Sequence, residues 1–248
     1  MASRFIVVIV LQSLFFCISC NSTKKVAYFQ NAQDLTSHPI VGTIEAPIQP
    51  SDILNITISS LNATADTKYN KAENTASKGY LVNNDGNIQL PTLGNIKAAG
   101  LTKKQLTENI TKAILAKKEL LDPIVEIRHI NFEVTVLGEV NHPTVINVPS
   151  EQISLVKALG LAGDLTIYGK RDNVLLIREG DGYRVTRHIN LNSIDFLHSP
   201  YYYLEPNDVV YVEPNSAKIA STSRSQQILP VVLSSISILI VVLSMFIK

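Results

Sequence analysis

The sequence predicts an α+β protein built from two small mixed modules and closed by an apolar C-terminal helix. Short alternating apolar and polar runs recur between residues 48 and 212, with one strongly capped amphipathic helix and one short helix among them. A Pro-x-Asp turn leading into a β-branched run occurs twice, at Pro50-Ser-Asp52 and at Pro206-Asn-Asp208. The recurrence suggests two related modules; two unrelated proline turns are the alternative reading. Residues 45–130 and 131–215 are the expected modules.

The chain opens with a segment that does not belong to either. Arg4 precedes an apolar run over residues 5–16 broken only by Gln12 and Ser13, and Cys17-Ile-Ser-Cys20 follows. A charged start, a short apolar core and a small residue before the cut describe a secretory signal over residues 1–19, too short to span a bilayer. Cys20 fits the lipidated position of a bacterial lipoprotein because Ser19 is small, whereas Cys17 would follow bulky Phe16. Cleavage before Cys20 removes Cys17, so no disulfide is expected in the mature chain. Residues 20–44 are polar and unpatterned and read as a tether.

The elements follow in order. After Pro50, Leu54, Ile56 and Ile58 alternate onto one face of a strand. Residues 80–90 read as a hairpin about Asp85-Gly86, because that pair accepts positive φ, and Pro91 closes its second strand. Thr102-Lys-Lys-Gln105 is a capping box flanked by the staple positions Leu101 and Leu106. The helix it opens places Leu106, Ile110, Ala113 and Ile114 on one face and most of its lysines elsewhere; Asp122-Pro123 stops the helical region. Residues 124–130 and 132–140 read as strands. Ser154 caps a short helix over residues 155–161, and residues 174–178 and 183–189 flank Glu179-Gly-Asp-Gly182 as a second hairpin. An irregular linker over residues 216–227 is expected to precede the last apolar run.

That run, residues 228–247, carries no charge, and only Lys248 follows. At 1.5 Å per residue it extends roughly 30 Å, the thickness of a hydrocarbon core, and reads as a transmembrane helix. Ser234, Ser237, Val241 and Ser244 fall on one of its faces, a stripe suited to helix packing or to the wall of a lumen; a plain anchor with incidental serines is the third reading.

Composition excludes several functions. The 22 Lys and Arg against 21 Asp and Glu become equal once Arg4 is cleaved, so nucleic acid is not an expected partner. His38, His129, His142, His188 and His198 show no metal-ligand spacing, and Gly160-Leu-Ala-Gly163 lacks the Lys-Ser/Thr of a phosphate loop. Asp52 and Asp208 each follow a proline and are better placed to accept local backbone N–H groups than to act as a glycosidase pair. Tyr201, Tyr202 and Tyr203 offer rings for sugar stacking, but packing at a strand edge or a subunit contact is the favoured reading. No catalytic, cofactor or metal site is expected.

Taken in order, several motifs resemble the outer-membrane polysaccharide export family, of which the Wza-like capsule translocons are members. They are the Pro50-Ser-Asp52 turn, Gly86-Asn-Ile-Gln-Leu-Pro91-Thr-Leu-Gly94-Asn-Ile, the capped helix after Gly100, Asp122-Pro123, Val136-Leu-Gly138-Glu-Val140 and Leu204-Glu-Pro206-Asn-Asp208. Lys24-Lys25-Val-Ala-Tyr28-Phe29-Gln30 resembles the opening of the Bacteroidetes branch. The resemblance covers about residues 45–215. It implies a polysaccharide-export domain followed by a soluble-ligand-binding β-grasp (SLBB) domain, shorter than the long Wza type. It further implies an outer-membrane lipoprotein with a periplasmic body, a homo-oligomeric ring, a polysaccharide substrate and an inner-membrane co-polymerase as partner. Two readings stay open: a conduit that exports capsular polysaccharide or exopolysaccharide, and an anchored glycan-binding or assembly lipoprotein without a pore of its own.

If Cys20 is the attachment point, Cys20→Ala abolishes incorporation of radiolabelled fatty acid; label persisting on the mature chain places the lipid elsewhere.

Overall fold

The computed structural model describes residues 27–30, 45–61, 67–70, 79–118, 120–180, 182–222 and 224–246. The signal segment and Cys20 lie outside the described residues, as does most of the expected tether. Buried apolar side chains gather into two clusters, one drawn from residues 48–127 and one from residues 132–212.

In the first cluster, β1 (Ile53–Ser59) is the middle strand of an antiparallel sheet between β2 (Tyr80–Leu81) and β5 (Ile124–His129). Leu54, Ile56 and Ile58 alternate inward, as their period of two requires. Helix α1 (Lys103–Ala116) lays Leu106, Ile110 and Ile114 into the same core. Its capping box is complete: Gln105 N donates to Thr102 Oγ1, and Thr102 N donates to Gln105 Oε1.

The expected hairpin about Asp85-Gly86 is corrected. The turn forms, with Gly86 at φ 76° and Asn83 N bonded to Asn87 O, but β2 pairs with β1 rather than running along the segment after the turn. That segment, β3 (Asn87–Leu90), pairs instead with β4 (Gly94–Lys97) across Pro91-Thr-Leu93. The aligned partner of β2 is the strand that buries its apolar face, and Asn83 closes the turn by accepting Asn87 N on its side chain as well.

The second cluster fills a five-stranded sheet of order β10-β9-β12-β6-β7. Its strands are β6 (Glu133–Gly138), β7 (Thr144–Asn147), β9 (Gly169–Gly180), β10 (Tyr183–Ile189) and β12 (Val209–Pro214). β12 runs parallel to β6, and the other pairings are antiparallel. Two short strands, β8 (Ile153–Ser154) and β11 (Tyr203–Leu204), pair beside helix α2 (Leu155–Leu161), whose Ser154 cap accepts Lys157 N. Gly138, at φ 91°, lies opposite Val212 in the parallel pairing, and a Cβ there would come within 2.1 Å of Val212 O. The β6–β12 approach therefore admits only glycine at this position.

The linker expected to be irregular is helical. Asn215 accepts Lys218 N on its side chain and opens α3 (Ser216–Thr222), which is followed by α4 (Arg224–Phe246). A capping asparagine and a run of small residues were sufficient to form the turn. The expectation of a membrane span is also cut back: among the described residues no helix is long and apolar enough to cross a membrane. The polar Arg224-Ser-Gln-Gln227 stretch occupies the first turn of α4, and Ile247 and Lys248 lie outside the described residues.

The two faces of α1 give a stability test. Ile110→Asp places an unpaired charge in the first core and is expected to cost about 3 to 5 kcal/mol, while Lys112→Asp on the exposed face leaves thermal unfolding of the full chain nearly unchanged. Equal melting of the two variants would contradict the helix orientation.

Candidate functional site

The two Pro-x-Asp turns have one construction. Ser51 and Asn207 take φ of 75° and 67°, and Asp52 N and Asp208 N donate to Gln49 O and Glu205 O at 3.2 Å. Each is a turn of type II, with proline second and the left-handed residue third. Each aspartate closes its turn a second time, Asp52 Oδ2 accepting Gln49 N and Asp208 Oδ2 accepting Glu205 N, both at 2.8 Å. Both carboxylates are buried. They belong to separate cores and are structural, as the proline context suggested.

Each buried carboxylate has a basic neighbour. Asp52 Oδ2 lies 3.2 Å from His129 Nε2. Asp208 takes Arg178 in a fork, with Nε 2.9 Å from Oδ1 and Nη2 2.7 Å from Oδ2, while Arg178 also reaches Glu205 and Tyr203 O. Burial pushes the Asp208 carboxyl above the usual carboxylate range, and hydrogen bonds from Arg178 oppose that without cancelling it. Burial works against the Arg178 charge, but the hydrogen bonds to Asp208 and the negative charges of Asp208 and Glu205 together outweigh it and raise the guanidinium.

The tyrosine triplet serves the same cluster. Arg178 and Arg187 lie over the Tyr201 ring at 5.7 and 5.8 Å, Tyr202 meets Tyr203 edge-on at 4.9 Å, and Tyr201 and Tyr202 pack on the second core. This is the packing role the sequence favoured over sugar stacking.

The modules meet at Glu151, which precedes β8 and has φ 55°. Its Oε1 accepts His129 N at 2.7 Å, at the end of β5, and its Oε2 pairs with Lys103 in the first turn of α1. One carboxylate of the second module thus grips two elements of the first. Nothing in the sequence around Pro149-Ser-Glu151 singled it out.

Both ends of the described chain attach to the second module. Phe29 N and Gln30 N donate to Leu191 O and Asn192 O, the Tyr28 hydroxyl donates to Asp164, and the Tyr28 ring sits 5.3 Å from the Arg171 guanidinium. Burial, with the bond to Asp164, raises the Tyr28 hydroxyl above the ordinary phenol range. At the other end, Asn215 N donates to Tyr168 O at 2.7 Å, and Lys218 pairs with Glu139 at 3.3 Å over the Tyr168 ring. Thr166 bonds Glu139 in turn, so residues 164–171 carry both attachments. The aromatic pair Tyr28-Phe29 in an otherwise polar stretch was the signal available for the first of them.

Beyond Lys218, α4 exposes many of its described apolar side chains, among them Leu229 at 57%, Val231 at 65%, Ile236 at 51% and Ile238 at 66% exposure. The hydroxyls of Ser234 and Ser237 turn back onto their own helix, donating to Val231 O and Leu233 O. The side chains of Val241 and Ser244 lie outside the described residues.

Comparison with known proteins agrees with the order of the two cores. The polysaccharide biosynthesis/export protein family matches residues 42–129, and the SLBB domain matches residues 134–186. The chain is 30% identical over 144 residues to the EPS I polysaccharide export outer membrane protein EpsA of Ralstonia solanacearum, which covers 55% of this chain and 36% of that protein. It is 34% identical over 106 residues to the protein of the same name from Ralstonia nicotianae, covering 41% of this chain and 27% of that protein. The chain therefore spans about a third of the length of the curated relatives it matches.

The Arg178–Asp208 pair has a pH signature. Arg178→Leu leaves Asp208 buried without its counter-charge and is expected to cost about 3 to 5 kcal/mol at neutral pH. Because burial raises the folded-state pKa of Asp208 above its unfolded value, the stability it contributes is present below the unfolded value and lost as pH rises through the folded one. The variant should therefore recover relative to the parent as pH is lowered from 7 toward 5; a deficit independent of pH would assign the cost to packing alone.

Proposed function

Because the chain belongs to the polysaccharide export family, we propose that it is an outer-membrane lipoprotein that passes capsular polysaccharide or exopolysaccharide through an oligomeric conduit. In this reading residues 45–130 form the export module and residues 131–215 the SLBB β-grasp module. The chain itself does no chemistry, and polymerisation or an inner-membrane co-polymerase drives the polymer.

The observation that supports a membrane-bound body is the attachment of both ends to residues 164–171. Tyr28 docks there eight residues after Cys20, so a lipid on Cys20 would lie within roughly 28 Å of the second module at full extension. The exposed apolar helix α4 departs from the same module through Asn215 and Lys218. A lipid and an apolar helix leaving one module serve one bilayer most simply, with the export module held away from it.

The second reading, an anchored assembly or glycan-binding lipoprotein, is equally compatible with the serine geometry. Hydroxyls bonded to their own helix at Ser234 and Ser237 need neither water nor a neighbour, which suits a lipid-facing anchor as well as a lumen.

Cysteine scanning separates the two. In the lipidated protein, cysteines at Ser234, Ser237 and Ser244 are expected to react with membrane-impermeant thiol reagents, while cysteines at Leu239 and Leu243 are shielded. Uniformly unreactive positions, or leucine sites reacting as fast as serine sites, would remove the conduit reading of this helix and leave the anchored one.

A further inference from the structure

We propose that a groove between the two modules binds a short pyranose segment of the exported glycan. The inference rests on the export reading and adds to it a specific contact site. The groove, of about 320 Å³, is lined by Gln49, Pro50, Glu179, Gly180, Tyr183 and Arg184. One wall is the first Pro-x-Asp turn, and the other is the tip of the β9–β10 hairpin.

The composition of these walls is that of a sugar site. Hydroxyl groups on a pyranose ring are donors and acceptors at once, and planar amide, carboxylate and guanidinium groups meet neighbouring hydroxyls with paired hydrogen bonds. All three occur here. Glu179 and Arg184 pair with each other, Nε to Oε1 at 2.7 Å, yet their side chains remain 59% and 68% exposed, so their outward hydrogen-bonding capacity faces the groove and solvent. The Gln49 side-chain amide makes no hydrogen bond among the described residues, and it lies over Gly180, 3.2 Å from where a Cβ would stand. Tyr183 is 77% exposed at the hairpin tip and supplies a ring for the C–H face of a sugar.

The walls are also held. Gln49 is fixed through its backbone N–H by buried Asp52, and Tyr183 is paired with Gly180 in the β9–β10 ladder. Gly180 leaves the backbone open where the walls come closest. An open concavity that offers polar groups beside an aromatic edge suits a hydroxylated ring, whose hydroxyls and C–H face need both kinds of surface.

The test uses the full-length lipidated protein in detergent and oligosaccharides cut from the polysaccharide exported by the producing cells. Binding is read by calorimetry and by saturation-transfer NMR. Tyr183→Ala is expected to weaken binding roughly tenfold, and Gln49→Ala to weaken it as well. Thr186→Ala, exposed further along β10, should bind as the parent does. Equal melting temperatures establish that the variants fold. If deleting the gene leaves polysaccharide export unchanged, the export reading falls and this inference with it. If export depends on the gene but the fragments do not bind, or bind Tyr183→Ala as tightly as the parent, the groove assignment alone is overturned.

Discussion

Each module depends on a buried aspartate that closes a proline turn. In Gln49-Pro-Ser-Asp52 and Glu205-Pro-Asn-Asp208 the carboxylate accepts the N–H of the residue that opens the turn, and the backbone between them sits in the left-handed region. The same backbone then meets a neighbouring segment by the same pair of bonds. Ser51 N donates to Val82 O and Val82 N to Asp52 O; Asn207 N donates to Glu133 O and Thr135 N to Asp208 O. The turn thus fixes where β1 and β12 enter their sheets, and every side chain that alternates inward after it inherits that register. A one-residue slip would put Leu54, Ile56 and Ile58, or Val210 and Val212, in water. The buried Asp208 carboxylate is tolerable because both its oxygens take hydrogen bonds from backbone or Arg178, whereas at Asp52 Oδ2 takes both contacts and buried Oδ1 has no partner among the described residues. The choice of that partner differs: Arg178 forks Asp208 and Glu205 together, whereas His129 makes one contact to Asp52.

The two turns also shape what lies between the modules. His129, the neighbour of Asp52, gives its backbone N–H to Glu151, and Glu151 holds Lys103 at the start of α1. Turn, strand end, helix start and the second module are therefore joined through four side chains, those of Asp52, His129, Glu151 and Lys103. The positive φ at Glu151 is the cost of aiming one carboxylate at two donors on different elements. On the opposite side of the turn, Gln49 and Pro50 face the β9–β10 tip.

Much of this was legible before the structure because the signals were local. The capping box at Thr102, the cap at Ser154, the turn prolines and the glycine-bearing β9–β10 tip each act over three or four residues, and each element stands where its own sequence puts it. One misreading came from a pairing between distant segments, and another from a local cap. The Asp85-Gly86 turn was read correctly, but its first flank pairs with β1, a choice made by which apolar face needs covering rather than by the turn. The stretch after Asn215 is polar and rich in serine, and a single capping side chain turned it into helix. The docking of Tyr28 on Arg171 and Asp164 and the grip of Glu151 on the first module join residues more than 20 positions apart, between segments with no periodicity to announce them. For the candidate site, the sequence marked α4 as apolar and its serines as a stripe; it could not say that Ser234 and Ser237 satisfy themselves on their own helix.

The placement of the ends has a mechanical consequence. A load applied through Tyr28 or through Lys218 enters the second module at residues 164–171 and reaches the five-stranded sheet directly, since Gly169 begins β9 and Glu139 follows β6. The first module receives it across the short connection from His129 to Glu133, through Glu151 and where Gln49 lies over Gly180. A charged grip of this kind is weaker than a continuous core, because its donors and acceptors exchange with water when they part. The second module therefore carries both docked segments, and the first is held against it chiefly by the Glu151 contacts and by the packing at the groove.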